Sequence, residues 1–236
     1  VARLSMPDSL KKVLLGAVAV AREAQWRLRT VIAASLLAAA LAAAIAQTPH
    51  DKLARMLAAA HGGTLVFHEE SPGGTVTVLE LGTPPKTTRR LFIDGVSNAG
   101  DALTPRRYMR LQALLPLMIH GGEPRSALVV GLGAGLSTGA LLAFPGLEKR
   151  TCIELLPAVA RAASLFEGNF DCTRDPRIAL RLADARHELQ RSRQRYDLIP
   201  MEPPPPPAAG IANLYSRDFY RLCRARLAPG GISRAT

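Results

Sequence analysis

An apolar helix, a small β region and then a doubly wound parallel α/β sheet make up the fold class that this sequence predicts. Three observations carry it. Residues 31–46 form a 16-residue run in which Ser35 is the only polar member. From Thr64 onward, short β-branched and apolar runs are separated by glycine and proline. From Ser126 onward, strand-like apolar runs alternate with helix-like ones, and their ends carry glycine or an acidic residue. Strands that alternate with helices pack as a mostly parallel sheet covered on both faces.

Composition limits the function classes. The chain has 236 residues, 48% hydrophobic and 21% charged, which suits one domain with a small appendage and excludes a disordered or fibrous chain. Lys plus Arg total 30 and Asp plus Glu 19, giving a net charge of +11. The positives are scattered and largely Arg, and aromatics are only 5%, so no basic stripe interleaved with aromatics marks a specific nucleic-acid surface. Cys152, Cys172 and Cys223 form no CxxC pair, which excludes a disulfide scaffold or a zinc ribbon and suits a reducing compartment. The five histidines have no metal-ligand spacing, so no metal site is expected.

The first element is helical. Residues 10–29 read as an amphipathic helix, with Val13, Leu14, Val18 and Val20 among charges. Residues 31–46 would span roughly 24 Å as a helix, short of the ~30 Å hydrocarbon core. Nine of those 16 residues are Ala, which drive insertion weakly. Three readings stay open: a membrane helix, a signal-peptide apolar region with Ala44-Ile45-Ala46 as its cleavage-like end, or an Ala-rich helix packed on the domain. The β region follows, with strands expected at 64–68, 75–81 and 90–93, broken by Pro72-Gly73-Gly74 and Pro84-Pro85. Asp94-Gly95 reads as a turn, and 108–119 as a helix by the spacing of Met109, Leu111, Leu114, Leu115 and Met118.

The remainder carries the chemistry. A strand over 126–130 runs into Gly131-Leu-Gly133-Ala-Gly135, and 136–144 reads as the helix after it. A strand, a glycine turn and a helix make a Rossmann-like nucleoside cradle, because glycines let the backbone approach a ligand. The spacing is GxGxG with Leu136 where a dinucleotide fingerprint needs its third glycine, which leans toward S-adenosyl ligands. A second strand at 150–153 ends on Glu154, 19 residues after Gly135, where a carboxylate can accept from two ribose hydroxyls. Pro157 suits the first turn of a helix over 157–166. A third strand at 178–182 leads to Asp184, a fourth starts at 196–199 and ends at Glu202, and a helix covers 216–227 before Pro229-Gly230-Gly231.

These segments resemble the polyamine aminopropyltransferases, the spermidine synthases, and above all a bacterial branch with membrane helices ahead of the synthase domain. The resemblance rests on Gly74-Thr-Val-Thr-Val78, Leu91-Phe-Ile-Asp94-Gly95, Val129-Val-Gly-Leu-Gly-Ala-Gly135, Cys152-Ile-Glu154, Asp175-Pro-Arg177, Ala183-Asp184-Ala185, Tyr196-Asp-Leu-Ile199 and Ala209-Gly-Ile-Ala-Asn-Leu-Tyr215. It implies a small N-terminal β domain joined to a Rossmann-like sheet of the S-adenosylmethionine (SAM) methyltransferase type. It divides the chain into a helical, membrane-prone segment 1–60, a β domain 61–100 and a nucleoside-binding catalytic domain 101–236. It implies transfer of an aminopropyl group from decarboxylated S-adenosylmethionine to an amine or polyamine acceptor, without a metal.

On that resemblance Gly131, Gly133 and Gly135 line the nucleoside, Glu154 holds the ribose, and Asp184 with Ala185 faces adenine. Glu202 and Tyr108 are the catalytic candidates, Glu202 standing where the family has an Asp that helps deprotonate the amine. Asn98, Asp101 and Tyr215 are the substrate-binding candidates. Homodimers are common in the family. The donor pool places the domain in the cytoplasm, with 31–46 as the candidate anchor to the inner membrane.

The departures are specific. The family's acidic pair is replaced by Arg106-Arg107 or is absent, and Leu114 falls near an expected His. Arginines beside a polyamine repel it. After Gly231 only Ile232-Ser-Arg-Ala-Thr236 remains, so the last strands of the sheet are expected to be missing. A SAM-dependent methyltransferase, with S-adenosylmethionine as its donor, and a non-catalytic nucleoside-binding homologue stand as the alternatives.

Overall fold

The computed structural model describes residues 8–201 and 211–235. The chain forms two compact units, Val1–Lys52 and Leu53–Thr236. The first is one helix, α1 (Asp8–Ala46), in which the amphipathic and apolar segments expected separately run on without a break. Its span Leu15–Ala46 is long and apolar enough to cross a membrane, with a mean hydropathy of 2.0, and its described side chains are exposed.

The second unit begins with α2 (Lys52–Ala60), expected to belong to the N-terminal helical segment. Its Ala58 packs with Leu79 and Phe92 instead, so α2 goes with the β sheet that follows. That sheet is an antiparallel meander of β1 (Gly63–Ser71), β2 (Gly74–Thr83), β3 (Lys86–Ile93) and β4 (Val96–Gly100). β2 is central, and Val76, Thr77, Val78 and Leu79 are buried on both of its faces. Asp94 and Gly95 close the last hairpin, with φ of 50° and 76°. Two left-handed residues match the right-handed strand twist, which is why an Asp-Gly pair sits there. Asp94 also accepts the Thr75 amide at 2.8 Å, tying the turn to β2. β4 was not expected from the sequence.

After α3 (Leu103–Met118) comes the parallel sheet: β5 (Ser126–Val130), α4 (Leu136–Ala140), β6 (Lys149–Glu154), α5 (Pro157–Ala163), β7 (Ile178–Leu182), α6 (Ala185–Arg191), β8 (Tyr196–Met201), α7 (Arg217–Ala225) and β9 (Leu227–Ala235). The strand order is β7-β6-β5-β8-β9. β5 alternates its side chains: Ala127 and Val129 enter one core with Val76, Val78 and Leu91 of the meander, Leu128 and Val130 the other core with Leu189 and Phe219. A strand buried on both faces needs this unbroken apolar run.

The expected loss of the last strands is corrected in one respect: β9 pairs parallel with β8, Leu198 opposite Ile232 and Met201 opposite Ala235. α7 stops at Ala225, short of the expected 227, and Pro229-Gly230-Gly231 lies within β9, where the register shifts. Strand order reverses about β5: β6 and β7 lie to one side, β8 and β9 to the other. Open α/β sheets bind ligands at this switch point, outside the carboxyl ends of the strands.

Candidate nucleoside site

The glycine turn sits at that switch point. Gly131, Gly133 and Gly135 have φ of 88°, 54° and 75°, a region that side-chain-bearing residues rarely adopt. At Gly135 space decides as well: a Cβ would stand 2.8 Å from the Cys172 sulfur. The Gly131 amide bonds to the Ile153 carbonyl at 2.9 Å, fastening the turn to β6.

Val130 lies opposite Ile153 in the β5–β6 register, so Glu154 falls beside Gly131. Its carboxylate is buried, 7% exposed, and faces the turn. Oε2 accepts the Leu132 amide at 2.8 Å, and Oε1 accepts the Leu156 amide at 2.9 Å. Burial raises its pKa above the ordinary 4.5, against the opposing pull of the Leu156, Leu132, Leu155 and Gly133 amides. Those four amides crowd a carboxylate's roughly four lone-pair directions, so a vicinal diol would bind by displacing the weaker of them. A glycine-rich turn beside a buried carboxylate fits a ribose.

Asp184 lies one strand further along the same edge. Glu154 pairs with Leu182 across β6 and β7, and the Ala183 amide bonds to the Glu154 carbonyl at 2.9 Å. Asp184 is exposed and caps α6, its Oδ1 accepting the His187 amide at 2.9 Å. Ala185 beside it is buried. From the meander, Asn98 reaches the turn: its Oδ1 is 3.6 Å from the point where a Gly133 Cβ would stand.

Asp101 is buried, but its carboxylate faces backbone: Oδ1 accepts the Arg89 amide at 2.7 Å and Oδ2 the Glu167 amide at 3.1 Å. Arg106 donates from Nε and Nη2 to the Asp101 carbonyl at 3.0 and 2.8 Å, so its guanidinium is engaged locally, whereas Arg107 is exposed. Tyr108 lies on α3, half-exposed, and Leu114 is partly buried against the core. Tyr215 ends the short 3-10 turn Ile211–Tyr215, and its hydroxyl is pushed up by burial and by neighbouring Tyr220. Glu202 lies outside the described residues, directly after buried Met201. Among the described residues no cluster of three or more His, Cys, Asp or Glu is arranged to hold a metal.

Sequence reasoning missed the segment that backs the turn. Asn169 is buried and donates from Nδ2 to the Ala134 carbonyl at 3.1 Å and the Ala163 carbonyl at 2.8 Å. The Cys172 thiol points at the Gly135 carbonyl at 3.4 Å, and burial pushes it up to about 12. Neither residue belongs to a motif; Gly168 before Asn169 is the only local mark. Asp197 also went unassigned. It holds the opposite end of the sheet, its Oδ2 accepting the Arg125 and Ser126 amides at 3.0 and 2.9 Å.

Comparison with known proteins follows the same stretch of chain. Residues 106–235 match the family model described as the spermine/spermidine synthase domain. A polyamine aminopropyltransferase of Nitrosomonas europaea is 39% identical over 181 residues, covering 71% of this chain and 50% of that protein. Polyamine aminopropyltransferase 1 of Streptomyces coelicolor is 38% identical over 117 residues, 47% of this chain and 22% of that protein. The chain thus spans half or less of the length of these relatives. Among solved structures, a spermidine synthase in complex with the transition-state analogue AdoDATO superposes with a TM-score of 0.64 at 22% identity, over 72% of this chain and 57% of that one. The spermidine synthase from Thermotoga maritima gives 0.61 at 21% identity, over 72% and 56%. At such identities the likeness speaks to the fold.

Proposed function

The chain belongs to the spermine/spermidine synthase family, and from that premise we propose that it transfers an aminopropyl group from decarboxylated S-adenosylmethionine to an amine acceptor, releasing methylthioadenosine. The observation that carries the reading is that the matched stretch 106–235 contains the glycine turn, Glu154 and Asp184 along one edge of one sheet. The amine nitrogen attacks the aminopropyl carbon on sulfur, the carbon–sulfur bond breaks with its electron pair going to the sulfonium, and the new ammonium gives up a proton.

Each residue has a part in this reading. Gly131, Gly133 and Gly135 admit the nucleoside backbone, Glu154 accepts from the ribose hydroxyls, and Asp184 with Ala185 borders adenine. Glu202 orients the acceptor amine and takes its proton; the nucleophile must be neutral, and the donor is a cation that a carboxylate stabilises. Tyr108, Tyr215 and Asn98 border the acceptor. Asp101 serves that side through the backbone it holds rather than by contact. The polypeptide divides into an N-terminal helical segment, a β domain that includes α2 and runs to 100, and a catalytic domain 101–236. Residues 31–46 anchor it to the inner membrane with the catalytic domain on the cytoplasmic side, and the β domain joins two copies.

Product analysis tests the activity. Incubation with either donor and a panel of mono- and diamines should release methylthioadenosine from the decarboxylated donor. Release of S-adenosylhomocysteine from S-adenosylmethionine instead would make the chain a methyltransferase.

A further inference from the structure

The segment 165–172 is held from two sides. From the meander, Asp101 accepts the Glu167 amide, and Arg89 donates to the Leu165 carbonyl. From α3, Arg110 donates to the Gly168 carbonyl and lies 4.8 Å from the centre of the Phe170 ring. On the other side the segment grips the glycine turn. Asn169 binds the Ala134 carbonyl, the Cys172 thiol faces the Gly135 carbonyl, and the Asn169 carbonyl packs so closely on α4 that a Cβ at Gly139 would stand 1.9 Å from it.

The backbone here is unusual. Phe170 and Asp171 are both left-handed, with φ of 57° and 49°. Side-chain-bearing residues persist in that region where the surroundings over-determine them, and they cluster at functional sites. The contacts that impose it are those just named, together with the Asp171 amide bonded to the Asn169 Oδ1 at 3.1 Å.

We infer that Asn169 is a positioning residue for the nucleoside pocket. Its carboxamide fixes the Ala134–Gly135 peptide, and so sets the direction in which the turn presents its amides and the Leu132 amide reaches Glu154. Asp101 holds the segment that carries it, coupling the meander to the cradle. This rests on the nucleoside reading above, so the test includes a measurement that needs no ligand.

On the full chain, Asn169→Ala is compared with Leu147→Ala, a cavity in the buried core ahead of β6 at the far end of the sheet. Methylthioadenosine affinity is measured by calorimetry well below either unfolding transition, and amide exchange is followed over residues 132–139. Asn169→Ala should weaken binding and speed exchange there by about tenfold, while Leu147→Ala leaves both within about twofold despite its loss of stability. In Asn169→Asp, affinity relative to the unaltered protein at the same pH should recover as falling pH protonates the new carboxyl and restores a donor toward Ala134. Binding and exchange within twofold of the unaltered protein in Asn169→Ala, or equal effects in Leu147→Ala, would overturn the inference. If the unaltered protein binds no nucleoside, the nucleoside reading falls, and exchange alone decides: acceleration supports the positioning role, and its absence ends it.

Discussion

The two halves of the parallel sheet's carboxyl edge are built differently. At β5 and β6 the glycine turn and Glu154 are buried and cross-tied, with both carboxylate oxygens bonded to backbone and the Asn169 segment behind. One strand away at β7, Asp184 is exposed, and its described bond is a helix cap. A preorganised acceptor loses less on binding than a solvated one, which must give up water and side-chain freedom. On the proposed reading, the β5–β6 half would set affinity for the ribose and the Asp184 half would adjust the fit of the base.

Glu202→Gln gives the largest expected effect and lies outside that contrast. Turnover should fall by about 100-fold or more while methylthioadenosine affinity stays within about twofold, since a positioned general base supplies that order of rate. Retained turnover would remove Glu202 from the mechanism. Glu154→Gln comes next. It sets an amide NH2 against the Leu132 or Leu156 amide, at about 1–3 kcal/mol of stability, and should weaken nucleoside binding markedly.

The pH dependence of Glu154 has two opposite signs. Its folded value is raised above 4.5 by burial, so the native state keeps a proton that the unfolded chain has lost. Its contribution to stability is complete below about pH 4.5 and declines as pH rises through the folded value. Nucleoside affinity should rise over the same window, because the ionised carboxylate is the better acceptor. Denaturant midpoints and calorimetry across that range, with Glu154→Gln flat in both, check the assignment.

Asp101→Asn separates contact from positioning. Held by the Arg89 and Glu167 amides, Asp101 should affect unfolding midpoint and nucleoside affinity, with acceptor KM little changed. A rise confined to acceptor KM would make it a substrate contact. Asp184→Ala should cost about 1 kcal/mol, the usual worth of a cap, and alter nucleoside affinity less than Glu154→Gln does. An equal or larger loss of affinity would abolish the contrast between the two halves. Smallest of all, replacing Glu69 or Arg161, an exposed pair joining β1 to α5, should leave the unfolding midpoint almost unmoved.

Much of this was legible in the sequence because local chemistry and final position coincide. Asp94-Gly95 is a turn wherever it occurs, the glycine run after an apolar strand has few structural outcomes, and Glu154 follows from the length of one β-α-β unit. What escaped depends on contacts distant in sequence. β4 is short and weakly apolar, and it exists by pairing with β3. β9 contains Pro-Gly-Gly, which punctuates locally, yet it pairs with β8. Asp101 reads from the sequence as a substrate-binding candidate because its backbone partners, Arg89 and Glu167, lie 12 and 66 residues away. Asn169 has no pattern of its own and gains its place through Ala134, 35 residues earlier.

The most direct test of the account is a calorimetric titration of the full chain with decarboxylated S-adenosylmethionine, S-adenosylmethionine and methylthioadenosine in turn. The decarboxylated donor and methylthioadenosine should bind, and S-adenosylmethionine at least about tenfold more weakly, because on the proposed reading Glu202 repels its extra carboxylate. A preference for S-adenosylmethionine, or no binding of any of the three by folded protein, would contradict it.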